Sequence, residues 1–360
     1  MNMNEEEHKE NMFLSKKEWT FCPSCGFKLP EIDRQKFCIK CGVDLEYIKS
    51  NVISHQPSAP EVSTYPYRSE WDEKKIADED ILNLGEKQLW SSFYSIGIPI
   101  LAFILMISLT TIIISFFFPF VSNLEELTAL MFNPYLVAIL SFTELIFLLV
   151  PVYYVGKYLQ NPKFNNRLTL LGFTLKGNDN FKPIKEVFIG LGFAVVGILL
   201  VFLVSFLIEI ILELILGVDI VFTGGGSLNE IDIILANSDI LALIFLAIIM
   251  ISIVSTSEEL LFRGFMQKGL VRTVGKYGGL IITAVLFSLI HLIGIFQIGN
   301  ATPIDYLISF LVNFFPYFAL SLLLGFLFYW RKENLIAVVI MHGFYNAITI
   351  IIAYIYFSLI

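Results

Sequence analysis

A chain of 360 residues that is 56% hydrophobic, with 34 phenylalanines and only 16% charged side chains, is too apolar for an ordinary soluble domain, where about a quarter of residues are charged. Its net charge of −8 argues against nucleic acid as a main partner, because phosphate binding calls for a basic surface. The apolar excess is also segregated: residues 1–92 are polar and ordinary, and residues 93–360 are dominated by long apolar runs.

The first residues are acidic and polar, so no cleavable signal peptide is expected and the first apolar span becomes the insertion signal. All four cysteines follow within residues 19–48, in the stretch FCPSCGFKLPEIDRQKFCIKCGV. Cys22 and Cys25 form one CxxC knuckle, Cys38 and Cys41 the other, with Gly26 and Gly42 directly after. Disulfides are disfavoured in a cytosolic segment, and four thiolates in this spacing can close a tetrahedron around Zn²⁺. The stretch resembles small zinc-ribbon modules. A ribbon this short has too little core to fold without its metal, so the Zn²⁺ is expected to be structural and the module to serve docking or regulation. Its partner is not readable. Residues 49–80 are rich in Pro, Ser and acidic residues with no apolar period, as in a flexible tether. Residues 81–92 suit a short helix at a membrane surface.

The rest, 81–360, reads as an all-α polytopic membrane domain. Apolar runs of bilayer-spanning length fall at about 93–121, 134–156, 187–216, 240–266, 279–299, 304–330 and 335–360. That gives seven transmembrane helices, or eight if 228–239 adds a short one. The gaps 157–186, 267–278 and 331–334 carry lysines and arginines; the gaps 122–133, 217–239 and 300–303 carry none. Positive loops stay in the cytoplasm, so the expected arrangement is multi-pass in the cell membrane, with lipid as its surroundings and a cytoplasmic N-terminus. Gly224–Gly226 make an outer loop and no phosphate-binding motif, since no Lys or Ser/Thr follows in the required order.

Ionisable residues inside such spans are costly and therefore point to function. The fourth span ends in STSEELLFRGFMQ. Glu259 and Arg263 are four residues apart and share a helix face, with the acid N-terminal to the base, the favourable order. Glu258 points about 100° away from Glu259 and is left as a free carboxylate. The fifth span holds His291, one turn after Phe287, and the seventh holds His342 and Asn346 in the same i, i+4 relation. At ~1.5 Å per residue from the nearest cytoplasmic loop, Glu258, His291 and His342 come out about 15, 18 and 10 Å deep. That agreement suits one wet cavity open to the cytosol. Glu144, Glu209 and Glu213 also lie within spans and match no motif.

EELLFRG (258–264), FSLIH (287–291) and HGFYN (342–346) resemble the EExxxR, FxxxH and HxxxN motifs of the CAAX protease and bacteriocin-processing family. The likeness covers about residues 240–350, complete and in order. It implies a hydrolase cutting membrane-associated peptides or protein tails near the cytosolic face. Glu258 would take a proton from water, with His291 helping to hold it. His342 and Asn346 would supply donors to the oxyanion, and Glu259 and Arg263 would organise the site. Two His and a Glu are also a possible zinc set, so metal-dependent and metal-free mechanisms are both open here. So is a non-catalytic scaffold or bacteriocin immunity role on the same fold. A transporter is disfavoured by the lack of paired broken helices.

Overall fold

The computed structural model describes residues 89–131, 133–174, 182–217, 238–292 and 302–359. The chain divides after Val62 into two units, and the described residues all lie in the second. The cysteine segment, the tether and the triple-glycine loop lie outside the described residues.

Every regular element described is helical. In order these are α1 (Ser92–Ser115), α2 (Leu124–Met131), α3 (Pro134–Leu140), a 3₁₀ turn (Ser141–Glu144), α4 (Leu145–Val155), α5 (Phe164–Leu170) and α6 (Pro183–Leu216). Then come α7 (Ile240–Ile249), α8 (Ser255–Glu259), α9 (Lys268–His291), α10 (Pro303–Trp330) and α11 (Ile336–Leu359). Among the described residues six stretches are long and apolar enough to cross a membrane, and they make this a multi-pass α-helical membrane protein. Five of them coincide within a few residues with the expected first, second, third, sixth and seventh spans.

The expected fourth and fifth spans are joined in one helical stretch, Ile240–His291, of 52 residues. Straight, it would run about 78 Å, more than two hydrocarbon cores. Gly275 breaks it with φ 76° and ψ 172°, a left-handed φ that a side chain would strain. The limbs on either side then pack together, so that Phe262 and Phe287 meet edge to face with ring centroids 5.0 Å apart. The basic gap at 267–278, expected as a loop, is thus helical except at this glycine. Residues 293–299 of the expected fifth span lie outside the described residues.

The bundle turns large apolar side chains outward, as lipid-facing helices do: Phe188, Leu199, Phe202 and Leu214 of α6 are all exposed. The same helix buries Gly190, Ala194 and Gly197. Small residues there let α6 lie close against α11, the usual way helices associate where both partners are already in an apolar solvent. At one end of the bundle Asp239 caps α7 through the Ala242 N–H at 2.7 Å and accepts the Tyr135 hydroxyl at 2.9 Å. The other end is basic and aromatic. Trp90 stacks on Phe265 at 4.8 Å, donates its indole N–H to the Phe265 carbonyl and carries the Arg272 guanidinium on its face. Lys157 lies 3.8 Å over the Tyr154 ring, Lys268 pairs with Glu333 at 3.4 Å, and Arg331 makes a two-pronged pair with Glu186.

The stretch that carries the acidic motif is not a plain α-helix. Wide π turns run over Met250–Val254 and Leu260–Gln267, on both sides of α8. Such turns recur at functional sites because each widens the ladder and re-aims side chains. Against the first of them lies Gly343, next to His342 on α11. A Cβ there would stand 2.7 Å from Ile251 Cα and 2.8 Å from Ser255 Oγ. Backbone cannot yield as a side chain tip can. Gly343→Ala should therefore cost about 1–3 kcal/mol, the range for overpacking. Thermal unfolding in detergent checks this; an unchanged midpoint would mean that the helices part freely.

Candidate active site

Four segments of the bundle converge on the acidic motif. The π-flanked helix α8 and its continuation supply Glu258, Glu259 and Arg263; α9 supplies Phe287 and His291; α10 supplies Tyr317 and Ser321; α11 supplies His342. The sequence places these residues far apart along the chain, and the fold brings all but Asn346 into direct register.

Arg263 and Glu259 have no exposed surface at all. The Arg263 Nη1 donates to Glu259 Oε1 at 2.7 Å, as the i, i+4 spacing predicts. Its Nη2 donates to the Ser321 hydroxyl at 2.8 Å and to the Ser321 carbonyl at 3.3 Å. The guanidinium also lies over the Phe287 ring, 4.7 Å from its centroid. An ion with partners on three sides is one that a low-dielectric interior can hold.

Glu259 Oε1 is shared. It also accepts His342 Nδ1–H at 2.7 Å, which fixes that ring and leaves Nε2 on the side of Glu258. His291 is held the same way by a different group: its Nδ1 donates to the Phe287 carbonyl at 2.8 Å. A carbonyl only accepts, so Nδ1 carries the hydrogen and Nε2 presents its lone pair. The His291 ring is sandwiched between Phe287 and Tyr317, with centroids 4.4 and 4.6 Å away.

Glu258 lies between the two free nitrogens. Its Oε1 is 4.0 Å from His291 Nε2 and its Oε2 is 3.7 Å from His342 Nε2. Neither separation is a hydrogen bond, and Oε2 is buried without a partner. Gaps of this width suit an intervening water, which can donate to both a carboxylate oxygen and an imidazole lone pair. The site can therefore polarise a water molecule.

Asn346 is half-buried one turn beyond His342, and among the described residues its side-chain amide makes no hydrogen bond. Glu209 and Glu213 lie on α6, and no hydrogen bond or ion pair joins them to the site. Two participants were not found from sequence. Ser321 and Tyr317 carry no motif, and a lone serine or tyrosine in an apolar helix gives no signal.

Glu258, His291 and His342 are the zinc set that the sequence raised. Among the described residues no group of three or more His, Cys, Asp or Glu side chains is placed to hold a metal ion. No step below is routed through a metal.

The fold and the site together define a helical membrane protein with a carboxylate–imidazole centre buried between its spans. Residues 240–348 match the family model Rce1-like, described as Type II CAAX prenyl endopeptidase Rce1-like. The matched segment holds the whole run from Glu258 to Asn346, in agreement with the resemblance read from the three motifs. No curated protein and no solved structure matches the chain.

The geometry separates the two adjacent glutamates. Glu259→Gln removes the charge that Arg263 and His342 both rely on, and leaving a buried cation unpaired costs roughly 3–5 kcal/mol. Glu258→Gln breaks no hydrogen bond. Thermal unfolding should show a strongly destabilised Glu259→Gln and a near wild-type Glu258→Gln; the opposite order would mean that the roles are reversed.

Proposed function

We propose that the chain is an intramembrane endopeptidase of the CAAX protease type, with Glu258 as general base. The observation that carries the reading is the position of the Glu258 carboxylate: buried, unpaired, and between two imidazole nitrogens whose rings are locked from behind. A water held by Glu258 Oε1 and His291 Nε2 loses a proton to Glu258 as its oxygen attacks the scissile carbonyl carbon. The carbonyl oxygen becomes an oxyanion. His342 donates to it through Nε2, which requires the ring in its doubly protonated form, since Nδ1–H stays on Glu259. Asn346, whose amide is uncommitted, supplies the second donor. The C–N bond then breaks, and the proton on Glu258 passes to the leaving nitrogen. Glu259, Arg263 and Ser321 hold the arrangement and take no part in the proton transfers.

The substrate class follows from the family description and from the surroundings of the site. A membrane-anchored peptide or protein tail reaches a centre buried among spans; a soluble protein does not. Prenylated tails, bacteriocin precursors and anchored regulators share that property. Read as two crossings that meet at Gly275, 240–291 brings the crossings among the described residues to seven. With the Lys157, Lys268, Arg272, Lys276 and Arg331 end facing the cytosol, the N-terminus is cytoplasmic and cleavage occurs on that side.

The N-terminal segment is proposed to hold one structural Zn²⁺ through Cys22, Cys25, Cys38 and Cys41 and to dock a partner or substrate. Metal analysis of the purified chain should give about one zinc per chain, as four thiolates around one ion require. Cys38→Ser should lose it, and unchanged zinc in that variant would sink the assignment.

The activity is tested with a library of lipid-modified and unmodified tail peptides offered to the purified protein in lipid nanodiscs. Wild type should cleave a subset. Glu258→Gln should lower the rate about 10²- to 10⁴-fold, the usual contribution of a positioned general base, while remaining folded. A chain that cleaves nothing in a library covering all three tail classes would favour a non-catalytic scaffold or immunity role.

A further inference from the structure

The two imidazoles beside Glu258 are held unequally. His342 gives its Nδ1–H to a buried carboxylate at 2.7 Å, and its side chain is only 4% exposed. His291 gives its Nδ1–H to a backbone carbonyl at 2.8 Å and keeps 24% of its side chain exposed. One hydrogen bond holds one atom of a ring and leaves rotation about that bond open. It does not by itself decide where Nε2 points, and the exposed surface leaves the ring room to move.

The ring faces decide it. Phe287, one turn earlier on α9, covers one face with centroids 4.4 Å apart and planes 35° apart. That wall is rigid, because Phe287 is buried, meets Phe262 at 5.0 Å and lies under the Arg263 guanidinium. Tyr317 of α10 covers the other face at 4.6 Å and 31°. Four residues on, Ser321 takes the Arg263 amino group at 2.8 Å, so one face of α10 touches both His291 and the buried cation. The height of Tyr317 is thereby tied to the ion pair at the centre of the site.

We propose that Tyr317 is a positioning residue for the attacking water, acting through the ring face of His291. This rests on the reading of His291 as a holder of that water. With Tyr317 in place, Nε2 stays 4.0 Å from Glu258 Oε1, a gap that one water bridges. Without it, the ring swings about its Nδ1 hydrogen bond toward α10, and Nε2 leaves the water. Stacking needs the aromatic ring and not the hydroxyl, so phenylalanine serves at this position and an aliphatic side chain does not.

Peptide cleavage by the full chain in lipid nanodiscs tests this. Tyr317→Leu should lower kcat about 10²-fold, the cost of an atom misplaced by about 1 Å, with KM unchanged. Tyr317→Phe should recover most of that loss. In a His291→Ala background, Tyr317→Leu should cost nothing further, since a residue that acts through His291 has nothing left to act on. Multiplying losses, or no recovery in Tyr317→Phe, would overturn the proposal. A second readout needs no turnover: the imidazole nitrogen resonances of nitrogen-15 histidine-labelled protein, with His291 assigned by its loss in His291→Ala. They should form one sharp set in wild type and Tyr317→Phe, and a broadened or doubled set in Tyr317→Leu. Where Tyr317→Leu does not fold, Tyr317→Met, which also lacks the ring, takes its place in both measurements. A sharp, unmoved set in the ringless variant would overturn the proposal as well. If His291→Ala alone cleaves at the wild-type rate, the reading of His291 at the water fails, while the resonances still decide whether Tyr317 holds the ring.

Discussion

The structure depends on the burial of one cation. Arg263 has no contact with solvent, and the arrangement around it is what makes that tolerable. Glu259 neutralises it, Ser321 takes its second amino group, and Phe287 offers a ring face. These partners come from three helical segments, so the ion pair fixes how α8, α9 and α10 meet. Because Glu259 Oε1 is also the acceptor for His342, the same charge fixes α11. The arrangement of the four helices at the site is thus a consequence of charge satisfaction. An apolar bundle alone would leave the helices free to slide or rotate.

Backbone geometry has to make room for that cluster. Two wide π turns flank the glutamate pair, and Gly343 lets α11 reach the first of them. On the opposite side of the same chain segment, Phe265 is pinned by Trp90 and Tyr154. The aromatic and basic belt at that end resembles the interfacial anchors of membrane proteins, where rings and long cationic side chains sit at headgroup level. The segment bearing the site is held from the core by charge and from the membrane surface by aromatic packing.

Much of this was legible in the sequence, for identifiable reasons. The spans were readable because twenty apolar residues have few alternatives, and the Glu259–Arg263 pair was readable because i, i+4 neighbours on a helix must meet. The convergence of Glu258, His291 and His342 followed from their similar depth, which a bilayer imposes on every helix at once. What escaped were the features that depend on a partner helix. Neither π turn leaves a compositional trace. Ser321 and Tyr317 are ordinary residues in an apolar helix until the bundle rotates them inward. Gly275 was one glycine among several in a short basic gap, and nothing in its neighbours marked it as the single break in a 52-residue helical stretch.

The two glutamates at the centre show how identical side chains acquire different capacities. Glu259 collects an arginine and a histidine on one oxygen and has no freedom left. Glu258, its immediate neighbour, collects nothing at hydrogen-bonding distance. On a helix the two point about 100° apart, which is enough to turn one onto Arg263 and the other between the two imidazoles. A group that must take up and release a proton has to remain short of partners, and an apolar membrane interior penalises that shortage. The fold meets the penalty locally: both histidines that border Glu258 are anchored through their far nitrogens, so the gap stays open at water's dimensions without closing into a direct ion pair. The freedom of Glu258 is therefore maintained by what its neighbours are already bound to.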